Sequence, residues 1–493
     1  MLRSCDNNKL GSHWGARAVN TDPRELILKS PMSRMQMAVV VITIALNALD
    51  GFDVLSISLA AGSIRDEFGI GPAITGLLLS MELVGMAIGS IFLGRVADSW
   101  GRRPMMLSCL VMMTVGMFMV TTAPGVMAGL LKSTMDSMGL LQDWPIELVH
   151  ISIWRIITGL GIGGMLASIN AVVAEYSNND KKHMNVALMS IGYPVGAFTG
   201  GFIASWLLSE YTWRSVFLLG FGITLVMIPV VFFFVPETIA WQVRNHRPGA
   251  LERINATLKK MGHAAISALP DVRAELAATA KDSIFSSKLL RTTVIVTAAY
   301  FFHIMTFYFI LKWTGVIVED RGFEASQAGQ VLSWINVGGA TGGALLGFLT
   351  LKYDLKKLTI GSMLLSTVFV AIYGNMTDLT QMTLICVASG FFINAAINGM
   401  YAIFAHAYPT QVRAAGTGFA IGVGRGGSVL APILAGFMFQ SGSGVPIVAL
   451  VMGCGSLLAA CALFFLTLDT MPPEVVQAEK ARSGGLRESP AAT

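Results

Sequence analysis

The sequence predicts an all-α integral membrane protein in which twelve transmembrane helices form two pseudo-symmetric six-helix halves, with both termini cytoplasmic. Three observations predict it. Of the 493 residues, 54% are hydrophobic and 13% charged, with a mean hydropathy of +0.65, whereas soluble domains carry about 25% charged residues. Apolar segments of about 20 residues recur along most of the chain, each long enough for a hydrocarbon core roughly 30 Å thick. Lipid offers no hydrogen bonds to the backbone, so these segments read as helices and not barrel strands. Finally, the halves echo each other. "AEYSNNDKKHMNVALMSIGYPVGAF" follows the fourth span and "AHAYPTQVRAAGTGFAIGVGRGGSV" the tenth, so that Tyr176 matches Tyr408, Lys181 matches Arg413 and Gly192 matches Gly424.

The elements follow in order. Residues 1–35 are polar and mixed in charge, without the apolar core of a signal peptide, and are expected to form a cytoplasmic tail. Spans are expected to begin near Met37, Ala73, Met105, Leu148, Met184 and Trp213, giving an N-terminal bundle over 36–236. The longest polar segment, 237–290, is the central cytoplasmic loop. Spans beginning near Thr292, Gln327, Leu358, Met382, Ala414 and Val445 give the C-terminal bundle over 291–468, followed by a tail over 469–493. Arg95, Arg102, Arg103, Lys181 and Lys182 fall in alternate loops, and the positive-inside rule makes those loops cytoplasmic. The external connection "TTAPGVMAGLLKSTMDSMGLLQDWPIEL" fits either a short interfacial helix or a linker.

Composition also excludes several functions. The net charge of +5 sits mainly in loops and tails and argues for orientation, not for nucleic acid. The five cysteines, Cys5, Cys109, Cys386, Cys454 and Cys461, show no CxxC pairing or metal spacing. No metal, cofactor or enzymatic constellation is expected, and no GxxxxGK[ST] loop points to an ATP-driven pump.

"GRVADSWGRRP" ends the second span. Gly94 lets helices approach, Asp98 can meet a helix N-terminus or an arginine, and Arg102 and Arg103, after Gly101, hold the turn at the headgroups. Such a cluster reads as a latch closed in one conformation and broken in another, or as a plain basic turn. The spacing GxxxDxxGRR, with "WRIITGLGIGG", "WRSVF", "VPET" and "YPTQVRAAGTG", resembles the major facilitator superfamily over about residues 35 to 470. "LDGFD" in the first span and "GVGRGG" in the eleventh look most like its aromatic acid:proton symporter branch. There are departures. "GFLTLKYDLKK", the second-half latch, lacks its acid, and "EYSNNDKKH" lacks the usual proline and arginine. "LKWTG" stands in the seventh span where that branch has Trp-Pro. The resemblance implies a monomeric carrier that rocks about a site between its halves.

Intramembrane charges mark that site. Asp50 and Asp53 share a helix face three positions apart, and an acid inside a span costs on the order of 2.5–3.5 kcal/mol on insertion scales. By a rise of 1.5 Å per residue, Asp53 lies roughly 24 Å along the first span and Arg155 about 10 Å into the fourth from outside. Their depths match, so Asp53 is expected to pair with Arg155 and to couple protons, with Asp50 shaping its environment; a static salt bridge is the alternative. Glu82 in the second span is either an auxiliary proton carrier or a packing residue. Arg425, roughly 18 Å into the eleventh span, suits a carboxylate bidentately; the alternative is a structural pair with Asp50 or Glu82. Gly422, Gly424, Gly426 and Gly427 leave room beside it for a ligand or another backbone. Tyr300, His303 and Tyr308 from the seventh span, with Asn170, Asn336, Asn394 and Asn398, complete the expected substrate set, though packing accounts for such residues equally well. Lys312 is expected to snorkel.

Together these features predict a proton-coupled carrier in the cytoplasmic (inner) membrane importing a small organic anion, an aromatic carboxylate of the benzoate or hydroxybenzoate type. A carrier of aliphatic acids or sugars is the alternative, and a membrane sensor that does not transport is a more distant one.

Overall fold

The computed structural model describes residues 22–122, 124–139, 144–270, 284–409 and 412–466. The tail expected over 469–493, most of the N-terminal tail and 271–283 of the central loop lie outside the described residues. A short α1 (Pro23–Lys29) leads into α2 (Arg34–Phe68), α3 (Pro72–Trp100) and α4 (Arg102–Val120). After α5 (Val126–Ser137) come α6 (Ile146–Tyr176), α7 (Lys182–Glu210) and α8 (Arg214–Phe234). The central loop carries α9 (Ile239–Asn245) and α10 (Ala250–Met261). The second half comprises α11 (Leu290–Asp320), α12 (Ala325–Leu349), α13 (Leu355–Tyr373), α14 (Leu379–Ala407), α15 (Arg413–Gln440) and α16 (Val445–Phe464). Among the described residues, 12 helices are long and apolar enough to cross a membrane. Each starts within about three residues of the position that hydropathy gives, since the apolar run dictates where a helix must begin. The connection between α4 and α6, expected to be external, carries a helix, α5. Within the described part of the central loop, α9 and α10 are helical despite its polarity.

Local chemistry sets the entry of α2. Ser33 and Gln36 exchange backbone and side-chain bonds of 2.8 and 3.3 Å in a capping box. The Gln36 amide then donates to Tyr176 O at 2.9 Å, tying the first span to the end of α6.

Packing repeats with a period of six spans. In the first half α3 lies on α6, α2 on α7, and α4 on α6 and α8; in the second, α12 lies on α14, α11 on α15, and α13 on α14 and α16. Across the halves α3 meets α15 and α7 meets α12, the same pair of elements exchanged. A pseudo-two-fold axis therefore runs between the halves, flanked by α2 and α11.

An even number of crossings brings Arg34 and Phe464 to one face, the terminal face. The hydrogen bonds that join the halves lie toward the other. Arg65 Nη1 and Asp320 Oδ1 are 2.6 Å apart at the helix ends. Ser80 Oγ donates to Val429 O at 2.9 Å, and Lys312 Nζ donates to Val54 O at 2.6 Å. The halves are thus closed together at the face opposite the termini.

Candidate functional site

The fold brings α2, α3, α6 and α11 together around four charged side chains, each 0% exposed: Asp53, Glu82, Arg155 and Lys312. Arg155 does reach α2, as matched depths predict, but it does not pair with the Asp53 carboxylate. Its Nη2 sits 2.5 Å from Glu82 Oε2 and donates to the Asp53 backbone carbonyl at 3.1 Å. Its plane lies 5.5 Å from the Phe217 ring. Glu82 also receives Lys312 Nζ at 3.1 Å. The expected Asp53–Arg155 pair is therefore replaced by an Arg155–Glu82–Lys312 triad. Lys312 is no snorkelling residue: it lies about 12 Å inside the end of α11 at 1.5 Å per residue, with its ammonium turned to the first half. The carboxylate oxygens of Asp53 and Asp50 are buried with no hydrogen-bond partner.

One turn nearer the terminal face, Asp50 lies in the field of Arg425 from the other half. Arg425 is half-buried, its Nε meets no acceptor, and Tyr193, Tyr300 and Tyr308 lie in its field. Tyr300 Oη is 3.2 Å from Tyr401 Oη. Two of the glycines beside Arg425 serve helix packing, whereas a Cβ on Gly422 would meet only Ile91, at 3.9 Å. A Cβ on Gly424 would fall 2.1 Å from Tyr300 Cδ1, and one on Gly427 2.3 Å from Phe301 O, so the open side of α15 is taken up by α11. The structure thus places Tyr300 and Tyr308 near Arg425.

His303 does not join this group. Its Nδ1 lies 2.9 Å from Ser456 Oγ and its Nε2 3.0 Å from Ile393 O. A carbonyl only accepts, so Nε2 carries the proton and Nδ1 accepts from the serine. Both nitrogens are spent tying α11 to α14 and α16, which takes the ring out of the substrate set. Asn170, Asn336 and Asn394 each donate to the carbonyl four residues back, at 2.7, 2.9 and 3.0 Å. Asn170 and Asn398 are exposed on their helices, while Asn336 is buried.

The basic turn forms a compact cluster within the first half. Asp98 Oδ1 meets Arg102 Nη2 at 2.7 Å, and Arg102 also approaches Glu175 at 3.9 Å. The positive N-terminus of α4 is met by Glu237, from "VPET". Its carboxylate accepts from the N–H groups of Arg102, Arg103 and Thr238 at 3.0, 3.2 and 2.9 Å. Burial pushes the Glu237 carboxyl above the usual carboxylate range, against the pull of those three donors. Gly101, at φ +128°, leaves the space in which Glu237 Oε2 sits 2.4 Å from where a Cβ would be. Arg103 donates to Phe232 O at 2.5 Å. Gly94 faces Ala167 at ordinary contact distance.

The Major Facilitator Superfamily profile matches residues 41–333 and 293–492. The chain belongs to the Major Facilitator Superfamily. It is an integral, multi-pass membrane protein of a transporter family, not an enzyme. The 4-hydroxybenzoate transporter PcaK of Acinetobacter baylyi is 24% identical over 470 residues, 94% of this chain and 97% of that protein. A gallate transporter of Pseudomonas putida is 24% identical over 90% of this chain and 94% of its own. The benzoate transport protein of Acinetobacter baylyi is 26% identical over 86% and 88%. In fold, the chain is similar to the xylose transporter XylE from E. coli in a partially occluded inward open conformation, with TM-score 0.67, 16% identity, and coverage of 88% of this chain and 98% of that one.

Four members of this superfamily protein's sites escape a reading of residues in sequence: the Lys312 contact, Tyr193, Tyr401 and Glu237. Lys312 did carry a signal, because "LKWTG" departs from the branch pattern and puts a cation deep in an apolar span. Tyr193 and Tyr401 carry none that distinguishes them from packing residues, and "VPET" marks the family without giving Glu237 a partner.

Proposed function

We propose that this protein is a proton-coupled symporter importing a small aromatic carboxylate across the cytoplasmic membrane, with both termini cytoplasmic, acting as a monomer. The observation that carries the reading is Arg425: a guanidinium inside a span, half-buried, with an unpartnered Nε and three tyrosines around it. An intramembrane charge left short of partners is costly, and an anionic ligand supplies what is missing. The planar fork suits a carboxylate, and the tyrosines offer ring faces and hydroxyls for an aromatic body. The relatives are named for 4-hydroxybenzoate, gallate and benzoate, which share one ring and one carboxylate.

Asp53 is the proton carrier in this reading. Its carboxylate has no hydrogen-bond donor, so its charge answers to the net charge around it and not to one fixed partner. Asp50 lies on the same helix face between Asp53 and Arg425 and links the proton site to the substrate site. With the termini inside, the closed face is external, and the ligand site opens by rocking of the halves. The Asp98–Arg102–Glu237 cluster acts as the latch on the cytoplasmic side.

The test uses purified protein in proteoliposomes with labelled 4-hydroxybenzoate. Asp53→Asn is expected to abolish uphill accumulation driven by a pH gradient while sparing counterflow exchange. Full proton-driven accumulation by that variant refutes the proton assignment. Competition by benzoates but not by dicarboxylates or sugars is expected; the reverse order refutes the substrate class.

A further inference from the structure

Lys312 is the one member of the buried triad that comes from the second half. Its ammonium reaches across to two first-half groups, Glu82 Oε2 at 3.1 Å and Val54 O at 2.6 Å, the latter next in sequence to Asp53. Both donor and acceptor are 0% exposed. This contact exists because the halves are closed together at the face opposite the termini. When that face opens, Lys312 must leave with α11.

Consider the charge around Asp53 in the two states. The charged and titratable groups facing it are Asp50 from its own helix, Arg155 from α6 and Glu82 from α3. α11 adds Lys312 through Val54 and Glu82. α7 contributes the Tyr193 hydroxyl, in the field of Asp50 and Glu82. α8 contributes the Phe217 ring against Arg155. Asp50 is set against Arg425; of the remaining groups, without Lys312, Arg155 and Glu82 cancel, and a neutral, protonated Asp53 leaves the cluster uncharged. With Lys312 present the same pair carries one excess positive charge, and only an ionised Asp53 restores neutrality. In a medium of low dielectric a uniform excess of one charge is strongly disfavoured.

We infer that Lys312 is a mobile counter-cation that the second half delivers to Asp53 when the external face closes, and that its arrival expels the transported proton toward the terminal face. The inference rests on the proton-carrier reading of Asp53 and names what triggers release. Loading and release are then tied to opposite states: Asp53 takes a proton while Lys312 is withdrawn and the outside is open, and gives it up when Lys312 docks. The O–H bond of the Asp53 carboxyl breaks and the proton passes to water on the terminal side, past Asp50, one turn nearer that face. Lys312 acts through Asp53 and is a positioning residue, not a ligand contact.

The experiment measures counterflow and pH-gradient-driven accumulation of 4-hydroxybenzoate by the full-length protein in proteoliposomes. Lys312→Gln keeps two hydrogen-bonding groups but no charge. It is expected to retain counterflow within about twofold while its accumulation ratio falls to about 1, because Asp53 then keeps its proton in both states. Lys312→Arg restores the charge and is expected to restore accumulation. Wild-type accumulation by Lys312→Gln overturns the inference, as does failure of Lys312→Arg to exceed Lys312→Gln. Lys312→Met replaces the glutamine variant if that does not fold. If neither neutral variant folds while Lys312→Arg does, the pair is a static structural bridge and the inference fails. Should Asp53→Asn uncouple transport while Lys312→Gln stays coupled, this inference alone fails; should both stay coupled, the proton-carrier reading fails with it.

Discussion

Arg155 and Arg425 both lie inside membrane helices, yet the protein surrounds them in opposite ways. Arg155 is 0% exposed and ion-paired: a carboxylate at 2.5 Å, a carbonyl at 3.1 Å and an aromatic face at 5.5 Å, although its Nε, like that of Arg425, meets no acceptor. Arg425 is half-buried, its Nε has no acceptor, and its neighbours are tyrosine rings and a carboxylate on the same face as Asp53. A buried cation whose charge is already matched by a carboxylate gains little from an anionic ligand. Arg425 has no such ion pair among the described residues, which is why we propose it as the seat of the anion. The same residue type therefore marks moving parts in one place and recognition in the other, and partner inventory tells them apart where depth in the membrane does not.

The comparison breaks most readily at Arg155. Arg155→Met is expected to cost about 3–5 kcal/mol, the range for removing one partner of a buried pair, with the lower figure favoured because Lys312 still holds Glu82. Thermal unfolding in detergent should show a clear drop in Tm for Arg155→Met and almost none for Arg425→Met. Equal drops erase the distinction between machinery and seat. Arg425→Lys sharpens it. The charge stays and the planar fork goes, so losing one charge-assisted hydrogen bond of about 1.5 kcal/mol raises the apparent KM for 4-hydroxybenzoate about tenfold, with Tm unmoved. An unchanged KM removes the carboxylate from Arg425. A smaller step is Tyr401→Phe, which deletes the 3.2 Å hydroxyl contact to Tyr300. One neutral hydrogen bond of about 1 kcal/mol frees the Tyr300 ring beside Gly424, and uptake assays should read about a fivefold rise in apparent KM; no rise leaves that hydroxyl outside the substrate shell.

What the sequence made legible follows from the same physics. Apolar runs fix where helices start because lipid punishes an unsatisfied backbone, so all twelve spans could be placed. The acids and arginines of the site could be named because intramembrane charge is rare. Depth, however, is one coordinate. Asp53 and Glu82 lie at nearly the same level, and only the packing of α3 on α6 decides that Arg155 turns to Glu82. His303 looked like a titrating ligand until Ser456 and Ile393, far along the chain, occupied both nitrogens. Gly424 and Gly427 announced space beside Arg425 without saying what fills it, and the answer is Tyr300 and Phe301. Glu237 carried no chemical signal in "VPET", since its role depends on the N-terminus of a helix that begins at Arg102.

The finest test sets two bridges against each other, both joining the halves at the same face. Lys312–Glu82 is fully buried, whereas the side chains of Arg65 and Asp320 are 19% and 47% exposed. Water and ions reach the outer bridge, so its worth is about 0.2–1 kcal/mol and salt screens it over a Debye length of about 3 Å at 1 M. Asp320→Asn should therefore open this face only about twofold more often at low salt, with no difference from the parent at 1 M. Ser58, 0% exposed beneath the bridge, reports the opening as the alkylation rate of Ser58→Cys in a background without native cysteines. Lys312→Gln in that background should raise the rate by far more, and salt should not abolish its effect, because a buried contact is screened little. A larger, salt-resistant rise from Asp320→Asn would mean that the outer bridge, and not the buried ammonium, holds the halves together.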